Sequence, residues 1–359
     1  MAHSSEADSP VRRLEERLGR QWLAIRKARE DTQVQRKRLR ESFAALDSPD
    51  TALVVFGSVA RDEVTTGSDL DWILLVDGQS IPEHKAQELQ IARLLEEGGF
   101  GAPGKSGVFG RMVGSHGLVH NIGGEDDLNS NTTRRILLLL ESLPVGNREA
   151  YDRVRRQIIK RYLQDDRGLT HGSGDIRIPR FLLNDLTRYW RTITVDFVYK
   201  QRADDGVKWA LRNAKLRMSR KLVFAAGLAH VFLCHLDPAA EGARRALRDQ
   251  LSVSALTSYL ERRLQWTPLE VIAQTLLELN VPGHTALDIF DSYNAFLAIL
   301  DDLGKRDELA RAKSHEDLRT SPSWQEVRDV SRPFHRGLVS LFLRNQSPLA
   351  DLTTEYGVF

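Results

Sequence analysis

The chain has 359 residues, of which 41% are hydrophobic and 28% are charged, and its formal net charge at pH 7 is +2. This length exceeds one comfortable hydrophobic core, and the composition is that of a soluble globular protein, so we expect more than one domain. No apolar run approaches the roughly 20 residues of a membrane span, and the N-terminus has no signal-peptide core. We therefore expect a cytoplasmic protein without a membrane partner. Cys234, the single cysteine, is expected to be a buried structural thiol.

The N-terminal segment, residues 1–48, is predicted to be helical. Ser9 and Pro10 are typical of a helix start, and apolar residues then recur at helical spacing, at Leu14, Leu18, Trp22 and Ile25. Residues 26–40 are dense in charge, so we expect one long or broken helix that packs through a narrow apolar stripe.

The next stretch predicts two strands joined by a tight connection. Residues 53–56 and 72–76 are apolar runs, and the second run is preceded by Asp69 and Asp71. Because side chains alternate along a strand, both aspartates point to the same side, while Leu70 and Trp72 face the core. Adjacent carboxylates repel each other unless a cation lies between them, and Mg²⁺ binds such carboxylates together with substrate phosphates. The pattern predicts a metal and phosphate site.

The first strand ends at a turn that suits a phosphate. Gly57 has no Cβ, so backbone can approach a phosphate closely, and Ser58 offers a hydroxyl and an N–H at the start of a short helix over residues 59–63. Arg61 lies in that helix.

These residues together carry a motif, GSxARxExTxGSDxD, which resembles the signature of the polymerase-beta-type nucleotidyltransferase superfamily. Its positions are filled by Gly57, Ser58, Ala60, Arg61, Glu63, Thr65, Gly67, Ser68, Asp69 and Asp71. The resemblance implies transfer of a nucleoside monophosphate from a nucleoside triphosphate to an acceptor hydroxyl, with release of pyrophosphate. It also implies that Asp69 and Asp71 hold Mg²⁺, and that Gly57, Ser58, Arg61 and Ser68 bind the nucleotide.

A helix is expected over residues 83–97, followed by a glycine-rich stretch. Residues 100–117 include six glycines, which is typical either of a loop that closes over a nucleotide or of an irregular set of turns. Residues 123–163 resemble a region of the uridylyltransferases that modify nitrogen-regulatory signal proteins. Asp126 and Asp127 are expected to cap the leucine-rich helix in this block.

The chain departs from the superfamily at the third carboxylate. Members commonly supply it from a later strand, yet residues 107–120, where we expect that strand, contain no Asp or Glu. Asp175 is the preferred candidate because a short strand-like run carries it, and Asp126, Asp127 and Asp185 are alternatives. The third carboxylate often acts as the base that deprotonates the acceptor.

Positive charge is concentrated in residues 151–221, which hold 18 Lys and Arg against 8 Asp. An amphipathic helix is expected over residues 180–200, where Asp185 and Arg188 have the spacing of a surface ion pair. A basic helix over residues 208–221 follows, and we expect its Lys208, Arg212 and Lys215 to contact the triphosphate or a nucleic-acid backbone. The alternative is a solvated helical surface.

The resulting prediction is an α+β protein: a small mixed-sheet nucleotidyltransferase domain with an N-terminal helix and a C-terminal all-helical domain. We divide it into residues 1–48, an N-terminal helical segment; 49–150, the nucleotidyltransferase domain; 151–235, a basic helical segment that completes the active site; and 236–359, a helical bundle. The acceptor is a protein or an RNA, the latter including tRNA ends modified by toxin-type enzymes. A regulatory protein that binds nucleotide without turnover is the remaining alternative.

Overall fold

The computed structural model describes residues 9–43, 46, 48–100, 107–171, 177–203, 206–250, 252–344 and 347–357. The strands are β1 Thr51–Phe56, β2 Asp71–Val76, β3 Arg111–Gly114 and β4 Ser142–Val145. The helices are α1 Pro10–Leu18, α2 Leu23–Phe43, α3 Ser58–Arg61, α4 Pro82–Glu97, α5 Ser115–Val119, α6 Asn129–Leu140, α7 Glu149–Gln164, α8 Arg167–His171, α9 Arg180–Ala203, α10 Trp209–Lys215, α11 Lys221–Leu236, α12 Glu241–Gln250, α13 Ser254–Arg263, α14 Pro268–Glu278, α15 Gly283–Asp301, α16 Leu303–Arg311, α17 His315–Thr320, α18 Pro322–Val339 and α19 Pro348–Tyr356. Two π-helical turns, Leu216–Arg220 and Ser340–Arg344, and a 3₁₀ turn, Pro238–Ala240, complete the described elements.

The chain forms two compact units, each built from separate stretches of sequence. The sheet unit consists of Arg29–Tyr189 and Ala239–Thr267. The helical unit consists of Met1–Ala28, Trp190–Pro238 and Pro268–Phe359. The N-terminal helix is broken, because Gly19 ends α1 in the left-handed conformation with a φ of +60°.

The sheet of the sheet unit has the strand order β3-β2-β1-β4. Strand β1 pairs antiparallel with β2 and β4, whereas β2 pairs in parallel with β3. A small mixed sheet within a mainly helical chain confirms the predicted α+β class.

One face of this sheet forms the core expected from the alternation along β2. Leu70, Trp72, Leu74 and Val76 are all at most 2% exposed, and they belong to one buried cluster with Leu39 and Phe43 of α2 and Ile91 and Leu95 of α4. Because neighbouring side chains on an extended chain point to opposite faces, Asp69 and Asp71 project away from this cluster. The predicted core face is therefore present, and on the opposite face of β2 Ile73 and Leu75 are also 0% exposed.

The sheet unit also contains a buried charge network centred on Arg135 of α6. The Arg135 guanidinium, whose side chain is 0% exposed, donates to Asp127 at 2.9 Å and to Asp185 at 2.6 Å. Its Nε also donates to the Tyr162 hydroxyl at 2.7 Å, and Arg188 donates to Asp127 at 2.6 Å. The network thus links α6, α7 and α9 to the loop before α6.

Two expectations about these residues are wrong. No side-chain hydrogen bond caps the N-terminus of α6, where Leu128 is the N-cap residue. Asp127 instead faces inward, because Arg135 and Arg188 supply the cations that its burial requires. Asp185 does pair with Arg188 at 3.7 Å, as expected, but Asp185 is only 6% exposed, so the pair is not on the surface.

The helical unit is organised by α15 and α18, and it includes the N-terminal residues. The Trp22 ring stacks on Phe290 of α15 with 4.7 Å between ring centroids, and its Nε1 donates to Asp291 at 2.8 Å. The apolar helix α11 is almost entirely buried and contains Cys234, which is 0% exposed, as expected for a structural thiol.

Within the described ranges, no single helix is long and apolar enough to cross a membrane. One bent pair, Trp209–Leu236 with Pro238–Asp249, reaches the required length and composition, but it includes the buried core helix α11.

Candidate active site

The candidate site lies in the sheet unit, where β1 ends and β2 begins. Phe56, the last residue of β1, pairs with Asp71, the first residue of β2. Gly57 follows with φ +72° and ψ −141°, a conformation that side-chain-bearing residues avoid. A Cβ at this position would lie 3.9 Å from Asp71 Oδ2. The turn therefore brings bare backbone directly beside one of the two predicted metal ligands.

The same turn starts the short helix α3. The Gly57 carbonyl accepts the N–H groups of Ala60 and Arg61, both at 3.0 Å. The N–H groups of Ser58 and Val59 precede these first bonds of the turn, as at any helix start. Ser58, which directly follows Gly57, is half-buried.

Asp69 and Asp71 lie on either side of the fully buried Leu70. Asp69 is exposed and precedes β2, whereas Asp71 is half-buried at the start of the strand. The loop before them is closed by Ser68, whose hydroxyl accepts the Thr65 N–H at 3.1 Å and whose N–H donates to the Thr65 carbonyl at 3.0 Å. Ser68 thus shapes the loop that carries Asp69.

The donor set can be tested against Mg²⁺. Among the described residues no group of three or more His, Cys, Asp or Glu could hold a metal ion. Asp69 and Asp71 are two carboxylates separated by one residue, and Asp71 Oδ2 lies beside the Gly57 backbone, which carries no Cβ. This set fits Mg²⁺, which commonly takes one or two carboxylates and completes its shell with water and substrate phosphates.

The Arg61 guanidinium is engaged by two carboxylates. Its Nε donates to Glu63 at 2.7 Å and its Nη1 to Glu141 at 2.5 Å, and its side chain is only 11% exposed. Glu141 directly precedes β4, whose Ser142 pairs with Phe56. Arg61 thus connects α3 to the start of β4, at the same end of the sheet as Asp71.

Glu141 is the residue at this end of the sheet that the sequence reading missed. Strand β4 has the sequence SLPV, which is short and contains Pro144, so it gave no strand signal. The sequence feature that could have identified Glu141 is its position directly after the leucine-rich helix, where the chain returns to the sheet.

Strand β3 lies where the third carboxylate was expected, and it carries none. Its residues run in parallel with β2, with Arg111 opposite Ile73. Because Ile73 is two residues beyond Asp71, Arg111 is on the same face of the sheet as Asp71. The expected strand is therefore present, and it carries Arg111 on this face where a carboxylate is common in the superfamily.

A cleft of about 380 Å³ opens at this edge strand, and its lining is rich in positive charge. Arg134 Nε donates to the Val108 carbonyl at 2.8 Å, while Arg134 Nη2 and Arg111 Nη1 converge on the Gly107 carbonyl at 3.0 and 3.4 Å. Burial and the nearby charge of Arg111 lower the pKa of Arg134. Two cations so close together favour an anion such as a phosphate. The cleft is lined by Lys85, Glu88, Arg111, Met112, Val113, Gly114, Asn131 and Arg134.

The remaining predicted site residues lie elsewhere. Asp175 falls outside the described residues. Lys208, Arg212 and Lys215 belong to the helical unit, where Lys208 precedes α10 with a φ of +56° and the other two lie in that helix. The glycine-rich stretch contains β3 and the first residues of α5, and its residues 101–106 are outside the described part of the chain.

Comparison with known families agrees with the geometry. Residues 36–98 match the family model described as a nucleotidyltransferase domain, and this range includes β1, α3, β2 and α4 with both aspartates. The chain therefore carries a nucleotidyltransferase domain of the polymerase-beta-type superfamily, and the protein is a nucleotidyltransferase. No curated protein and no solved structure matches it. The likeness of residues 123–163 to uridylyltransferases stays a prediction.

Proposed function

We propose that the protein transfers a nucleoside monophosphate from a nucleoside triphosphate to a hydroxyl group of a protein or RNA, with Mg²⁺ as cofactor and pyrophosphate as product. The observation that supports the proposal is the position of Asp71, whose Oδ2 would lie 3.9 Å from a Cβ at Gly57, with Asp69 two residues earlier in the chain. A triphosphate needs this combination of metal-binding oxygens and close backbone approach.

Each residue of the site has a chemical role in this proposal. Asp69 and Asp71 hold the metal, which when bound stabilises the charge on the attacking and leaving oxygens. Gly57 lets the phosphates approach the backbone, and Ser58 donates its hydroxyl and N–H to the terminal phosphates. Arg111 offers positive charge on the same face of the sheet as Asp71, and Arg134 shares the Gly107 carbonyl with it.

The acceptor hydroxyl also needs a base. Asp175 remains the proposed base, as the sequence suggested. Glu141 is less suited to this task because one of its oxygens already accepts a hydrogen bond from Arg61. We assign Glu141 instead the role of holding Arg61 and α3 in place beside the phosphates.

The test is to replace Asp69 and Asp71, one at a time, by Asn. Each change removes a charge at nearly constant volume, so transfer is expected to fall by at least roughly 100-fold while circular dichroism stays unchanged. Labelled ATP, CTP, GTP and UTP are incubated with purified protein and a cell lysate, and the RNA and protein fractions are separated and counted.

Asp152→Asn is the matched control. Asp152 is on the surface of the same unit, where it pairs with Arg148 at 2.6 Å, and its replacement removes the same charge. We expect this variant to keep full activity. Retained transfer in both the Asp69 and the Asp71 variants would contradict the proposed function.

A further inference from the structure

The helical unit carries a group of cations that the proposed chemistry does not use. We call it the basic patch, and define it as Arg217, Lys221, Arg328, Arg332 and Arg344. Arg217 and Lys221 are four residues apart, after α10 and at the start of α11. Arg328 and Arg332 are also four residues apart, on α18. Side chains at this spacing lie on the same side of a helix, about 6 Å apart along its axis.

A direct contact places the two rows side by side. The Arg217 guanidinium carbon lies 5.5 Å from the centroid of the Trp324 ring on α18, within the range of a cation–π interaction. Arg217 Nε also donates to Asn213 Oδ1 at 2.9 Å, so the guanidinium is held from both sides. Trp324 precedes Arg328 by four residues and so lies on the same side of α18, which brings Arg217 next to the α18 row.

The charges of the basic patch act on one another. Burial and the charges of Arg328 and Arg332 lower the pKa of Arg217. Burial and Arg217 likewise lower the pKa of Lys221. Burial, Lys221 and Arg344 lower the pKa of His335, so this histidine adds no charge at neutral pH. Arg217 thus lies near Lys221, Arg328 and Arg332, and Lys221 and Arg344 both lie near His335, so like charges are concentrated in this part of the helical unit.

Carboxylates do not compensate this repulsion within the part of the chain that the structure describes. No member of the basic patch there forms an ion pair with Asp or Glu. Glu326 of α18 is engaged by Lys305 at 2.6 Å. By contrast, Arg336 on the same helix pairs with Asp288 at 2.8 Å. An uncompensated cluster of this kind is stabilised by a polyanion.

We infer that the basic patch binds the phosphodiester backbone of a nucleic acid, and that this nucleic acid is the acceptor of the transfer proposed above. The role of the nucleic acid as acceptor rests on the proposed function, whereas its binding to the basic patch does not. A nucleic-acid strand carries one fixed charge per nucleotide, so it can meet two rows of cations at once. A folded acidic protein would have to hold its own carboxylates together at the same density, against their mutual repulsion.

The experiment is a fluorescence-anisotropy titration of a labelled single-stranded RNA of about 30 nucleotides with the full-length protein, without triphosphate. If all five cations contact phosphates, a plot of the logarithm of the association constant against the logarithm of the salt concentration should have a slope of about −3.5. The affinity should then fall roughly 100-fold between 50 and 200 mM salt. The double variant Arg328→Gln with Arg332→Gln should bind more weakly, with a slope of about −2 and a loss of roughly 20-fold over the same range.

The matched control is Arg13→Gln with Arg17→Gln. Both arginines are exposed on α1 of the same unit, and their side chains donate to the neutral Gln274 and Asn280. The control removes the same charge and should keep the slope of the wild type. Equal slopes for the wild type and the Arg328 and Arg332 variant would overturn the inference, as would equally tight binding of polyglutamate of similar length.

Two further arms separate this inference from the proposed function. If DNA of the same sequence binds as tightly as the RNA, the patch recognises the backbone alone. If the RNA binds more tightly, the patch also recognises the 2′-hydroxyl. Either result supports a surface that binds nucleic acid. Asp71→Asn should bind RNA like the wild type and yet transfer nothing. If the wild type modifies only protein in the lysate assay, the proposed function stands and the nucleic-acid acceptor is refuted.

Discussion

Replacement of Arg135 by Met would remove the cation of the buried network while keeping most of its volume. Asp127 and Asp185 would then remain in the interior without the guanidinium that contacts them at 2.9 and 2.6 Å. Breaking a buried ion pair by removing one partner costs about 3–5 kcal/mol, a large part of a total stability of about 5–15 kcal/mol. Arg188 still donates to Asp127 at 2.6 Å, which places the expected loss near the lower end of this range.

Thermal unfolding followed by circular dichroism measures this loss. At about 2–4 °C per kcal/mol for a unit of this size, the midpoint should fall by roughly 6–15 °C. Arg156→Met is the matched control, since Arg156 pairs with Glu261 at 2.7 Å but has a side chain that is 67% exposed. An exposed pair contributes less than about 1 kcal/mol, so the control should shift the midpoint by only a few degrees.

The stability that Asp127 contributes should depend on pH in a definite direction. Burial by itself raises the pKa of Asp127, but hydrogen bonds from Arg135 and from the Gly123 N–H lower it more, so the pKa lies below its usual value. A carboxyl group with a lowered pKa in the folded state contributes stability above its unfolded pKa, and this contribution is lost as the pH falls through the folded value.

The difference between wild type and Arg135→Met should therefore be largest near neutral pH and narrow below about pH 4, the ordinary range of an aspartate. Two results would refute the reasoning: a midpoint shift no larger than that of Arg156→Met, or a difference that widens as the pH falls.

Three other predictions concern the site. Gly57→Ala should lower the free energy of unfolding by about 1–3 kcal/mol and abolish transfer, because a φ of +72° strains any residue with a side chain. The control is Gly242→Ala, at a helical site where a Cβ would meet open space. Equal melting curves for the two variants would contradict the predicted strain. Asp175→Asn should lower single-turnover rates with little change in nucleotide affinity, and unchanged rates would exclude it as the base. Arg212→Ala with Lys215→Ala should raise the KM values steeply with salt, whereas unchanged KM values would assign these residues to a solvated surface.

The sequence predicted the part of the site that depends on local pattern. Strand alternation was enough to place Asp71 on the face opposite to Trp72, Leu74 and Val76, because successive side chains of a strand point to opposite faces. The bend at Gly57 was equally predictable, since its positive φ requires glycine.

What the sequence could not show are pairings between distant residues. Asp127 stands just before a helix and so has the sequence signature of a cap, but its partner Arg135 is also bonded to Asp185, 50 residues further along the chain. The basic helix was visible in residues 208–221, whereas the α18 cations beside it come from residues 328 and 332. Helical periodicity identifies the exposed side of one helix but not the helix that lies next to it.

The contact of Trp22 with α15 has a consequence for the order in which the protein folds. Trp22 and its hydrogen-bond partner Asp291 are 269 residues apart in sequence. At a synthesis rate of about 5–20 residues per second, α1 and the start of α2 leave the ribosome roughly 15–50 s before their packing partners. During that interval the apolar side of this segment, including the residues Leu14 and Trp22 that are buried in the folded protein, has no packing partner and is exposed to solvent.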